Sequence, residues 1–144
     1  MIDFIPGLSG TAAALDAERI RMEVVSQNIA NANTTRGPNG LPYQRQQVVF
    51  ETVMQQTLSG SGLTAGLPQA VKVARVQPDS RPPRTMFSPG HPDADANGMV
   101  KMPNVNVHEE MADLITSSRT YEANLAVIKN ARQMALQTLA IVKH

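Results

Sequence analysis

Apolar residues recur every seven positions at both ends of the chain and lose that rhythm between them. Near the N-terminus Leu8, Leu15, Met22 and Ile29 form one such series, which predicts an amphipathic helix from about Leu8 to Ala32. Its companion series, Thr11, Glu18, Val25 and Ala32, is only half apolar, so the stripe is narrow. Ser9 is the expected N-cap. Toward the C-terminus Leu114, Tyr121, Ile128, Ala135 and Val142 repeat at the same interval, with Met111, Ser118, Leu125, Arg132 and Leu139 in the second stripe position. No Gly or Pro interrupts the run from Asn106 to His144. At about 1.5 Å per residue this predicts a rod of roughly 55 Å. Asn106 and Glu109 have capping-box spacing, Glu109, Glu110 and Asp113 suit the positive end of the helix, and Lys143 and His144 suit its negative end.

Between these flanks the breakers crowd together. Nine of the ten prolines lie from Pro38 to Pro103. RGPNGLPY reads as a turn, with Pro38 fixing one central dihedral and Asn39-Gly40 tolerating left-handed backbone. YQRQQVVFE begins a strand or an extended arm, ETVMQQTL fits a helical turn as well, and SGSGLTAG is linker material. Ala70 to Val76 alternates like a half-buried strand, and Asn97-Gly98 fits the turn of a second hairpin. The expected fold is mainly α with a small β-rich insert. Residues 1–36 form the N-terminal helix of a stalk and 37–103 a Pro/Gly-rich insert. Residues 104–144 form the C-terminal helix, paired antiparallel with the first in a coiled-coil-like stalk. Two helices that bury one stripe each remain marginal alone, so the stalk is expected to complete its core against other chains.

Composition removes several functions. Thirteen basic and 12 acidic residues give a net charge of +1, spread along the whole chain, so no basic stripe offers itself to nucleic acid and no polybasic patch to a membrane. No apolar run is long enough to span a bilayer. The start, MIDFIPGLSG, lacks early cations and breaks at Pro6-Gly7, unlike a cleaved secretory signal. With no Cys, thiolate chemistry, disulfides and Cys-based zinc sites are excluded. DADANG, from Asp93 to Gly98, matches the first half of a calcium loop, but the ninth position is Lys101 and the twelfth Asn104, where such a loop needs a bidentate Glu. A polar turn with Asx caps is the plainer reading, and a calcium module at 93–98 is the alternative. His91 has no second His nearby, and SGSG lacks the setting of an activated serine. No enzymatic constellation, cofactor site, metal site or small-molecule site is expected.

One feature remains. SQNIANAN, Ser26 to Asn33, gathers four amides at the end of the first predicted helix. VVSQNIANANTTRGPNGLPYQRQQVVFE resembles the Asn-rich SxNxANxxT signature of bacterial flagellar axial proteins of the rod and hook. SPGHPDADANGMVKMPNVNVHEEMADLI, with the helix that follows it, is similar to the C-terminal part of proximal-rod members of that superfamily. The resemblance implies a structural subunit of the periplasmic rod of the basal body, exported unfolded without a cleaved signal. Such a subunit packs its terminal helices into a hollow helical tube that transmits torque and passes exported subunits. Its implied partners are copies of itself, other rod subunits, and ring and export-gate components, without nucleic acid and without membrane insertion; another rod subunit of the superfamily is the nearest alternative. The residues expected to carry packing and assembly are Leu8, Leu15, Met22, Val25, Asn28, Ile29, Asn31 and Asn33 on the first helix. On the last helix they are Leu114, Tyr121, Leu125, Ile128 and Leu139. Neutral amides serve such an interface because they donate and accept without the desolvation cost of an ion. Tyr121 is expected to pack, with a hydroxyl hydrogen bond across a helix interface as the sharper alternative.

Overall fold

The computed structural model describes residues 6–53 and 70–142. Helix α1 runs over Pro6–Ala30, strands β1 over Gln46–Val53, β2 over Ala70–Pro78, β3 over Arg84–Phe87 and β4 over Met99–Met102, and helix α2 over Val107–Val142. The SGSGLTAG segment, the ETVMQQTL residues after Val53, and Lys143 and His144 lie outside the described residues, as does the side chain of Leu8.

α1 begins at Pro6, not beside Ser9 as expected. The described helix already includes Pro6, which puts Ser9 inside it. α2 begins as the sequence predicts. Asn106 Oδ1 accepts the His108 N–H at 3.2 Å, and its Nδ2 donates to Glu109 Oε1 at 3.0 Å. This cap closes side chain to side chain, a variant of the usual box in which the Glu reaches back to a backbone N–H.

The insert consists of two antiparallel hairpins. β1 pairs with β2, with a bulge at Val49/Phe50, and β3 pairs with β4. Between β3 and β4 the chain turns back through Gly98, whose φ of 73° is readily adopted only by glycine. The RGPNGLPY turn is closed by the Gly40 N–H on the Gly37 carbonyl at 2.9 Å, with Gly40 also at φ 73°.

α1 packs against α2 and against both strands of the first hairpin. The end of α1 meets the start of α2 through Asn28 and Glu110, and one step further Arg21 meets Asp113, so the helices run in opposite directions from that end. The stripes that meet differ from those the apolar period picks out. On α2 Leu114, Tyr121, Ile128 and Ala135 are half-buried, but their companions are Glu110, Ser117, Asn124 and Ala131. Met111, Leu125 and Leu139, expected in the second stripe position, are exposed at 49%, 38% and 54%. On α1 Ala17, Val24 and Val25 are buried, while Leu15, Met22 and Ile29 are half-buried. Small side chains let the helices approach closely, and a larger residue at Ser117 would push them apart. Tyr121 is half-buried, and its hydroxyl makes no hydrogen bond among the described residues. The tightest core, Ala32, Val100, Pro103 and Val105, sits where the two helix ends meet the insert.

Candidate functional site

At that meeting point the chain buries a polar network. Asn28 is 0% exposed and uses its full hydrogen-bonding capacity. Its Nδ2 donates to the Gln46 carbonyl at 2.8 Å and to Glu110 Oε2 at 2.9 Å. Its Oδ1 accepts the Gln46 N–H at 2.9 Å and the Tyr43 hydroxyl at 2.9 Å. Two donors and two acceptors are all that an amide has. The side chain thus stands in for a neighbouring strand at Gln46, where β1 begins.

Glu110, also 0% exposed, receives Arg45 Nε on its other oxygen at 2.6 Å. Arg45 extends NH1 to Asp79 at 3.3 Å, and its backbone N–H donates to Asn104 Oδ1 at 2.7 Å. Asn104 donates in turn to the Arg81 carbonyl at 2.9 Å. The backbone N–H of Arg81 and its guanidinium both reach Asp79, at 3.0 and 2.9 Å, and hold that carboxyl below the usual carboxylate range against the opposing effect of burial. Burial, and next the charge of Glu110, push the Tyr43 hydroxyl above its ordinary value. Five segments thus converge here: the end of α1, the Tyr43–Gln46 approach, the Asp79–Arg81 corner after β2, the Asn104 loop and the first turn of α2. Each charge has a partner and each carboxylate oxygen of Glu110 a donor, which is how buried ions are tolerated. With its oxygens so engaged, the cluster is built as a clamp.

The amides of SQNIANAN divide their work. Asn28 is the hub. Asn31 donates from Nδ2 to the Gln27 carbonyl at 2.9 Å and accepts the Thr34 hydroxyl at 3.2 Å, capping the helix end. Asn33 is exposed and makes no side-chain hydrogen bond within the described residues. Val25 lies buried one turn before Asn28, while Leu114 and Ile128 line the inner side of α2. In DADANG, Asp95 Oδ1 accepts the N–H groups of Asn97 and Met99 at 2.8 and 2.9 Å, an Asx turn, and Asp93 takes the Thr35 hydroxyl at 2.7 Å. These carboxylates hold the loop together and tie it to the segment after α1. Sequence reasoning did not single out Arg45 or Asp79, met Asn104 only as the unfit twelfth position of a calcium loop, and read Glu110 only as a charge suited to the positive start of α2. The one available signal was a lone Arg set between glutamines at a strand entry.

Two family models match the chain: one described as flagella basal body rod protein over residues 11–38, the other as flagellar basal body rod FlgEFG protein C-terminal over 96–141. Among curated proteins it is similar to the flagellar basal-body rod protein FlgC of Salmonella typhimurium, 42% identical over 90% of each chain. The FlgC proteins of Bacillus subtilis (40%, covering 94% of this chain and 96% of that one) and Borreliella burgdorferi (39%, 92% and 93%) are similar too. The chain belongs to the FlgC family of flagellar basal-body rod proteins. The first family model ends just past the turn that follows Asn28, and the second contains Asn104 and Glu110. The buried junction therefore joins the two segments of this chain that the family models match.

Two outcomes follow for the junction. Asn28→Leu keeps the branched outline but strands Glu110, Gln46 and Tyr43; at roughly 1–3 kcal/mol per buried unsatisfied group, it should cost about 3 kcal/mol or more in urea unfolding. Because the carboxyl of Asp79 is depressed in the folded chain, the unfolded chain protonates there first as pH falls. Its contribution is therefore fully present above the ordinary value of about 3.9 and is lost as pH drops through the folded value. Unfolding free energy measured against pH should fall less steeply below about pH 4 in Asp79→Asn than in the native chain.

Proposed function

We propose that this chain is a structural subunit of the proximal rod, working by assembly and not by catalysis. Its terminal helices form a coiled-coil-like stalk that packs with other copies and other rod subunits into a hollow helical tube. That tube transmits torque and passes exported subunits. The insert, residues 37–103, rides on the stalk formed by 1–36 and 104–144. Ring and export-gate components are its neighbours at the ends of the rod.

The observation that carries this reading is the state of α2. One side of the helix is covered by the chain itself, yet Ile115, Leu136 and Leu139 stand 54–58% exposed along the rest. Scattered exposed apolar residues are ordinary; a row of them on a 36-residue helix of a rod-family protein is a surface for neighbours. The half-buried Leu15, Met22 and Ile29 extend that surface onto α1, and Leu8 continues their series. Asn33 belongs to it as well, because an exposed amide with no side-chain partner among the described residues can bond a neighbour.

Asn33→Leu provides the test. Its stability in urea should match that of the native chain, and its secretion should be normal, while its incorporation into isolated basal bodies should fall several-fold. Full incorporation and normal motility would remove Asn33 from the interface.

A further inference from the structure

α2 carries a second heptad row about 100° around the helix from the one that meets α1. Met111, Ile115, Leu125, Leu136 and Leu139 lie on it, all exposed, with Ser118, Glu122, Lys129 and Arg132 between them; Ser118 and Arg132 lie seven positions either side of Leu125 and so face each other in an antiparallel pair. Met111 and Leu139 lie 14 positions either side of Leu125, while Ile115 and Leu136 lie 10 and 11 positions away and Glu122 and Lys129 3 and 4, so each of these pairs matches to within one residue. We propose that this row pairs with the same row of a second copy, antiparallel, about a two-fold axis through Leu125. Met111 then meets Leu139 of the other copy, Ile115 meets Leu136, Leu125 meets Leu125, and Glu122 faces Lys129 twice over.

The charges select both the partner and the direction. Neither Glu122 nor Lys129 has an ion-pair partner among the described residues, so both are free to pair across the axis. A parallel pairing in register would set Glu122 against Glu122 and Lys129 against Lys129. Only the antiparallel arrangement keeps every apolar pair and turns both repulsions into attractions, the way flanking charges set orientation in coiled coils. An isologous contact of this kind closes on itself and cannot propagate. The pair covers the apolar row of the free chain and must open before that row can meet neighbours in an extended array. The inference uses only the surface of α2 and stands apart from the rod assignment.

Sedimentation equilibrium of the full chain tests it. The native chain should show a reversible monomer–dimer equilibrium. Glu122→Lys and Lys129→Glu should each weaken it about tenfold, as expected when two facing exposed pairs turn repulsive. The double exchange E122K/K129E should restore it, with circular dichroism showing that all variants keep their helix. Because the chain has no Cys, an oxidised mixture of Met111→Cys and Leu139→Cys chains should link mainly as the mixed pair. The proposal is overturned by a native chain that stays monomeric up to its solubility limit. It is also overturned by a double exchange as weak as the single variants, or by M111C linking mainly to M111C.

Discussion

A single amide organises the described structure. Asn28 lies out of reach of water and must find four hydrogen-bond partners or cost its own burial. It finds them on three segments: the entry to β1, Tyr43 in the approach to it, and the start of α2. No shift of α1 against α2 by one turn preserves that set, so the amide fixes helix register as well as strand entry. Glu110 and Arg45 then carry the constraint on to Asp79 and Asn104. A purely apolar junction would bury similar area but would permit several nearly equivalent packings; paired polar groups restrict the choice to one.

From this follows a division of labour within the molecule. The junction is dense and polar, and it joins segments far apart in sequence. The helices beyond it meet through small residues and half-buried side chains, with the larger apolar groups of α2 left facing outward. A subunit of a rod needs both properties: a fixed internal geometry, so that successive copies are alike, and an outer surface not yet satisfied. In this chain the two matched segments supply both, since each contributes one side of the junction and one helix.

The sequence made the helices, the turns and the α2 cap legible because these depend on local chemistry: heptad spacing, proline placement, and an Asn three residues before a Glu. It also showed two apolar series on α2 but read both as one inward stripe, since apolar residues repeat whichever way they face. What it could not reveal is which row turns inward. That choice depends on Glu110, Ser117, Asn124 and Ala131, residues whose polarity or small size gives no hydrophobic signal. The junction was half visible. The amide cluster drew attention to Asn28, but its partners lie 15 to 82 positions away, and nothing in the periodicity of a single chain pairs Arg45 with Glu110. Asn28, Asn31 and Asn33 were expected to tie the helix end to the following turn and to adjacent subunits; in the folded chain Asn31 bonds Thr34 of that turn, and Asn28 bonds Gln46, Tyr43 and Glu110.

Native-state hydrogen exchange tests the central claim most directly. The amide of Gln46 is bonded to a side chain, Asn28 Oδ1, and that of Arg45 to Asn104 Oδ1. If the buried junction is what holds the fold together, these two amides exchange only by global unfolding and rank with the slowest in the protein. Amides near the far end of α2, around Met134 to Leu139, exchange faster through local opening. Rapid exchange at Gln46 and Arg45, with the far end of α2 protected more strongly, would contradict the account.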